Sequence, residues 1–290
     1  MKTKPGKTID EQIEILKSRR LVVENDTDVA ETLSTLNYYV LSGYLHGFKD
    51  QYGNYEDGLT FERIHSLYKF DSALRNILLY AMERIEQLLK TRVAYMIALA
   101  YPDDPCIYES ASLFKNGDEH ARFMKGFHTT VRHYAEVPFV KHHINKYDGH
   151  FPIWVAVELF TMGNLRHLYL NLPNTLRRRI SSSFNIPPDV MDSWLENLRI
   201  TRNSLAHNMR LYGTTIQLTP KLPRQYYKKE IIRNRIFDQI RLMMVLYPER
   251  ENWIRIINDI GALLDDYKDV IELGKIGFPK NWIDYLEQRG

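Results

Sequence analysis

The chain has 290 residues, 44% hydrophobic and 26% charged, with a net charge of +3 and a single cysteine. That is the composition of a globular protein able to bury a full core; it excludes a collagen, a disulfide scaffold and a chain disordered throughout. Cys106 alone can build neither an intrachain disulfide nor a multi-cysteine zinc site, which fits a reducing compartment.

The basic N-terminus is followed by no apolar run, so it does not read as a secretory signal. The longest apolar stretch, residues 93–101, is nine residues, against about 20 for a membrane-spanning helix. A cytoplasmic protein with no membrane partner is expected.

Helical spacing then dominates the chain. Residues 8–18 carry Ile9, Ile13 and Leu16 on one face, with Thr8 as N-cap. Val29, Leu33, Leu36 and Val40 predict a second helix over residues 28–41. Gly43, Gly47, Gly53 and Gly58 mark the clearest loop and the best linker. Thr60 caps a long helix expected to reach Ala100, with Leu67, Phe70, Leu74, Leu78, Ala81 and Ile85 at three- and four-residue steps. Pro102 ends it. Residues 118–147 are helical in pattern but less apolar, and Pro152, Gly163 and Pro173 punctuate shorter helices. Pro187 and Pro188 open a helix predicted to run to about Arg210. Residues 213–224 form a loop or short hairpin, and further helices centre on Ile240, Ile257 and Tyr285. The fold is expected to be all-α, with residues 1–58 as an N-terminal helical extension and 59–290 as a larger helical domain.

Charge is distributed unevenly. Residues 166–241 hold 14 basic side chains against 5 acidic ones, so one quarter of the chain carries all the positive excess. Clustered Lys and Arg favour a polyanion partner, because binding phosphates releases condensed counterions. Arg177, Arg178, Arg179, Lys228 and Lys229 are candidates for contacting an RNA backbone, with Tyr226 and Tyr227 beside the lysines for stacking. Trp154 and Trp194 read as core residues rather than stacking platforms.

Six of the ten histidines lie between residues 120 and 150, but no His-Glu-x-x-His accompanies them. A polar helix face explains them better than a metal site. There is no phosphate-cradling Gly-rich loop, no nucleophile elbow and no Cys-x-x-Cys, so no cofactor and no metal are expected.

Residues 197–208 differ. Val190, Trp194, Leu198, Thr201 and Leu205 form a stripe that should face the core. Arg199, Arg202, Asn203, His207 and Arg210 fall largely off it. Arg202 and His207 are five residues apart, about 140° around an ideal helix. A long side chain, an irregular turn or a second subunit must bring them together.

Arginine with histidine suits RNA cleavage, because RNA carries its own nucleophile, the 2′-OH. Histidine titrates near neutrality and can move the protons. Arginine stays charged and grips phosphate oxygens in pairs. The spacing alone is common, and Arg122 with His128 also fits it. Context favours Arg202: Asn follows it, Ala precedes the His, and the segment continues an amphipathic helix in the basic quarter.

Arg202-Asn203-x3-His207 resembles the signature of HEPN-domain ribonucleases. The wider chain resembles the AbiD/AbiF-type abortive infection proteins of bacteria, the Abi-like family. The supporting segments are Thr8-Ile9-Asp10-Glu11-Gln12 with Leu16, Leu41-Ser42-Gly43-Tyr44, Phe70-Asp71 with Leu74-Arg75 and Arg84-Ile85-Glu86, and Pro152-Ile153-Trp154 with Glu158-Leu159 and Met162-Gly163-Asn164-Leu165. With Leu198-Arg199 and the motif itself they span residues 8–212.

The resemblance implies a HEPN-like helical bundle and a metal-independent endoribonuclease acting in phage defence. Arg202 and His207 would be catalytic, Asn203 and Glu86 would support them with Glu86 orienting Arg202, and Arg199 and Arg210 would join the RNA contacts. HEPN nucleases pair two motifs across a dimer, so one motif per chain implies a homodimer. A cognate small RNA or an antitoxin would be a further partner. HEPN toxins regulated by adenylylation carry a Tyr two residues after the His; Met209 stands here, a departure from that scheme. Asp71 and Arg75, one helical turn apart, read as a structural pair. Two alternatives remain: a non-catalytic RNA-binding module, and a protein-interaction component of a defence or toxin–antitoxin system.

Overall fold

The computed structural model describes residues 5–223 and 231–287. Among them every regular element is a helix, apart from two isolated bridges, Val22 with Thr60 and Lys49 with Tyr55. The helices are α1 (Ile9–Ser18), α2 (Asp26–Thr35), α3 (Tyr38–Leu45), α4 (Phe61–Ala100), α5 (Gly117–His133), α6 (Pro138–Lys146) and α7 (Ile153–Ala156). They continue as α8 (Met162–Asn171), α9 (Asn174–Ser182), α10 (Pro188–Ala206), α11 (Ile236–Leu246), α12 (Arg250–Asp266), α13 (Leu273–Ile276) and α14 (Trp282–Glu287). The fold is all-α.

The 40-residue α4 is the axis. It starts where Thr60 Oγ1 accepts the Arg63 N–H at 3.1 Å, and it stops before Pro102, which cannot continue it. Leu67, Phe70, Leu74, Leu78, Ala81, Ile85 and Leu89 are fully buried, so one stripe runs its whole length. Each such leucine or isoleucine stabilises the fold by roughly 1.5–3 kcal/mol on leaving water. Around α4 pack α3, α7, α8, α9, α10, α11 and α12, while α10 lies in the crook of α4, α8, α9 and α11. The α10 stripe is buried as its spacing predicts, through Trp194, Leu198, Thr201 and Leu205.

Three expectations are corrected. The stretch 28–41 is two helices, because Leu36 adopts an extended conformation and the Asn37 side chain accepts the Tyr39 N–H at 2.8 Å, starting α3 afresh. Residues 118–147 are likewise α5 and α6, divided before Pro138, which sits in the first turn of α6. Trp154 is not a core residue: it stands 54% exposed on α7, whereas Trp194 is buried with its indole N–H donating to the Lys221 carbonyl at 2.7 Å.

Candidate functional site

The site is built at the C-terminal end of α10. The helix ends at Ala206, four residues before the predicted Arg210. His207 is the C-cap, and Asn208 takes a left-handed conformation, φ 53°. The Met209 N–H bonds back to the Ser204 carbonyl at 2.9 Å and the Asn208 N–H to the Leu205 carbonyl at 3.4 Å. This is the Schellman pattern, with Asn in the place usually held by Gly. It satisfies two end carbonyls and turns the chain sharply, leaving the His207 side chain exposed at the corner.

Beyond the corner, the chain is fastened to α4. The buried Asp71 carboxylate accepts the N–H groups of Leu211 and Tyr212, each at 2.8 Å. It also accepts the Tyr44 hydroxyl at 2.7 Å and the Arg75 guanidinium at 2.8 Å. Arg75 reaches on to the Met209 carbonyl at 3.5 Å. Burial pushes the Asp71 carboxyl above the ordinary carboxylate range, while the Leu211 N–H, Tyr44, Arg75 and the Tyr212 N–H pull it back. The Tyr44 hydroxyl is pushed far above its ordinary range, first by burial and then by the Asp71 charge. Four donors on one carboxylate offset much of what its burial costs. The Asp71–Arg75 pair is therefore structural, and it holds residues 209–212 as well as its own helix.

Arg202 lies about a turn and a half before His207, half-buried. Its Nε is 3.6 Å from Glu86 Oε2, and Glu86 also holds Lys90 Nζ at 3.1 Å. These three line a cleft of about 440 Å³ with Tyr134, Phe139 and Thr161. Glu86 thus ties α4 to α10 through Arg202 and to its own next turn through Lys90. Asn203 is half-buried, and its carbonyl accepts the His207 N–H at 3.0 Å.

The other basic candidates divide into committed and solvent-facing groups. Arg177 donates from Nη2 to both oxygens of Asp192, 2.6 Å to each, with its guanidinium over the Tyr169 ring. Arg199 is bidentate to Glu196, which also holds Arg166 at 2.8 Å. Arg210 donates to the Gly43 carbonyl and lies over Tyr44. Arg178 and Arg179 stand exposed on α9. Lys228 and Lys229, with Tyr226 and Tyr227, lie outside the described residues.

A sequence signal for the helix end does exist in Asn208, a residue tolerant of left-handed backbone directly after the His. The role of Asp71 toward residues 209–212, 140 positions away, has no local signal.

The histidines of residues 120–150 are spread over separate neighbours: His120 on the Phe114 ring, His143 on Phe151, and His150 on Glu109 at 2.6 Å. Among the described residues no three His, Cys, Asp or Glu side chains are grouped to hold a metal, and no helix is long and apolar enough to cross a membrane.

A family model described as Abi-like protein matches residues 31–213. The match takes in α4, α10 and the whole corner at His207. No curated protein and no solved structure gives a significant match.

Proposed function

The chain belongs to the Abi-like protein family, which points to abortive-infection phage defence, and from that premise we propose that it is a metal-independent endoribonuclease of the HEPN type. The observation that carries this reading is an exposed imidazole on a braced turn, with a half-buried guanidinium five residues before it on the same helix. His207 stands on a turn pinned on one side by the Schellman bonds and on the other by Asp71. Arg202, held by Glu86, lines the cleft along α4. Pre-set geometry of this kind is what positions a catalytic group.

The chemistry is transphosphorylation. A base takes the 2′-OH proton and the 2′-oxygen attacks phosphorus. The 5′-oxygen then leaves with a proton from an acid, and a 2′,3′-cyclic phosphate remains. Base and acid act on opposite sides of phosphorus, so one imidazole cannot do both in a single in-line step. A homodimer that brings two His207 side chains to one phosphate supplies both. Arg202 carries the charge that grows on the phosphorane.

Support for RNA as substrate comes from the exposed Arg178 and Arg179 and from the excess of base over acid in residues 166–241. The test is incubation of purified protein with RNA in EDTA and identification of the ends. Fragments with 2′,3′-cyclic phosphate and 5′-OH ends are expected, and Arg202→Ala should weaken both cleavage and RNA binding. A 3′-OH end, or cleavage that EDTA abolishes, would refute the mechanism. A module that only binds RNA, the second reading, would give no fragments at all and would not need His207.

A further inference from the structure

A second basic site lies on the far side of the Asp71 anchor from the Arg202 cleft. It is a cleft of about 360 Å³ where α3, the start of α4, residues 210–213 and residues 272–275 meet. Its lining holds four strong cations, Arg63, Arg210, Arg235 and Lys275, against two carboxylates, Glu56 and Glu272. Neither Arg202 nor His207 reaches it.

The cations are placed, not scattered. Arg63 is spread over the Phe48 ring, 5.6 Å from its centroid. Arg210 lies over Tyr44 and donates to the Gly43 carbonyl. Arg235 donates to Thr215 Oγ1 at 2.8 Å and to the Gly213 carbonyl at 3.3 Å. The hydrogen bonds of Arg210 and Arg235 use one or two of the five N–H donors an arginine carries, the ring contact of Arg63 uses none, and the remaining donors are held in a fixed plane. Gly277, φ 84°, lets the backbone pass beside Arg235: a Cβ there would come within 2.6 Å of the arginine's own. Arg63 and Lys275 are exposed, and among the described residues neither is ion-paired with Glu56 or Glu272.

We propose that this cleft binds a nucleoside phosphate, with Arg63, Arg210, Arg235 and Lys275 around the phosphate and the Glu272 carboxylate accepting from a ribose hydroxyl or base amino group. The formal excess of two positive charges matches a phosphate monoester, which carries about −1.5 to −2 at neutral pH. Planar guanidinium groups bind phosphate oxygens in pairs, and the volume falls within the roughly 300–1,000 Å³ of small-molecule sites. The carboxylates argue against a bare anion, since they repel phosphate yet suit the hydroxyls and amines of a nucleoside. The ligand has two sources with the same chemistry: a free nucleotide, or the 5′-phosphorylated end of an RNA chain. Either would bear on residues 210–213, directly after the corner that carries His207.

The test uses the full chain with 5′-AMP, inorganic phosphate and a 5′-phosphorylated 12-nucleotide 2′-O-methyl RNA, which has no 2′-OH to attack, as probes, by calorimetry and filter binding at low salt. Arg63→Ala/Lys275→Ala, at two exposed positions, should lower affinity by about tenfold or more, as expected on losing two charge-assisted contacts. Glu272→Gln should not weaken RNA or nucleotide binding through charge, but should narrow the preference for 5′-AMP over inorganic phosphate. Loss of 5′-AMP binding in the double variant identifies a free-nucleotide site. Loss of RNA binding alone, with no 5′-AMP binding to wild type, identifies an RNA subsite. Unchanged affinity for every probe in the double variant overturns the proposal, as does equal affinity of wild type for inorganic phosphate and 5′-AMP. Binding of 5′-AMP involves no cleavage, so failure of the cleavage reading leaves this one standing, and the reverse.

Discussion

His207 and Asn208 divide two tasks that a single residue cannot perform. The imidazole must face solvent and substrate, so it contributes little packing. Asn208 makes the turn that puts it there. His207→Ala should therefore leave stability within about 0.5 kcal/mol of wild type, as for other exposed positions, while lowering cleavage on the order of 10²–10⁴-fold through loss of a proton-transfer group. Thermal unfolding and single-turnover cleavage on the same preparation check both halves; wild-type cleavage by this variant would remove His207 from the mechanism. Asn208 is tested by contrast. Asn208→Ala puts an ordinary side chain at φ 53° and should cost roughly 1–2 kcal/mol, with cleavage falling as the corner loosens. Asn208→Gly should keep both, because glycine enters that region without penalty. Equal behaviour of the two variants would mean the turn does not hold the histidine.

At the level of elements, the seams of α10 are made by charges that no local pattern reveals. Asp71 on α4 fastens residues 211 and 212, and Asp71→Ala should leave Arg75, Tyr44 and two backbone N–H groups buried without their acceptor. Breaking a buried pair in this way costs about 3–5 kcal/mol. Urea unfolding should show a lower midpoint; a shift below about 1 kcal/mol would mean water replaces the carboxylate. On the other flank, Glu196 joins α10 to Arg166 on α8 and to Arg199. The Arg199 hydrogen bonds, with the Arg166 charge, hold its carboxyl below its ordinary 4.5. A lowered carboxylate stabilises the fold above its unfolded value and loses that contribution as pH falls through the folded one. The seam should weaken only on the acid side of 4.5, and by under about 1 kcal/mol, since the group is partly solvated. Glu196→Gln should reduce the slope of stability against pH there and leave it unaltered near neutrality.

These seams also mark where local sequence pattern stops being informative. Both ends of α4 are legible because Thr60 and Pro102 are strong local signals on either side of an unbroken stripe. The break at Leu36 is hidden by the same rule: the apolar spacing continues across it, and only the Asn37 cap betrays a new start. Arg177 reads like Arg178 and Arg179, since three consecutive arginines look alike until Asp192, 15 residues on, is seen to take the first. Trp154 shows the opposite failure, because composition places tryptophan inside and only the packing of α7 leaves it out. The Arg202–His207 segment is legible as a unit, yet the chain beyond its corner is fastened by Asp71 of α4, from far along the sequence.

For the whole molecule, the decisive question is whether one chain holds a complete site. Arg202 turns toward Glu86 and the cleft along α4, whereas His207 stands exposed past the end of the same helix. Each chain carries a single Arg-x4-His motif, and in-line displacement needs an acid as well as a base. A homodimer with the two corners facing each other resolves both points, and predicts that one defective chain disables a dimer. His207→Ala protein should be inactive alone. Mixed with an equal amount of wild type after unfolding and refolding together, or co-expressed, it should form hybrid dimers that hold a single His207 and so lack either the acid or the base. With random pairing about a quarter of the dimers are fully wild type, so activity should fall to about a quarter of that of the same total amount of wild type. Sedimentation at micromolar concentration should show the dimer in all three preparations. A monomer that cleaves at the full rate, or a mixture that keeps half the activity, would place the working groups within one chain and return the second proton transfer to water.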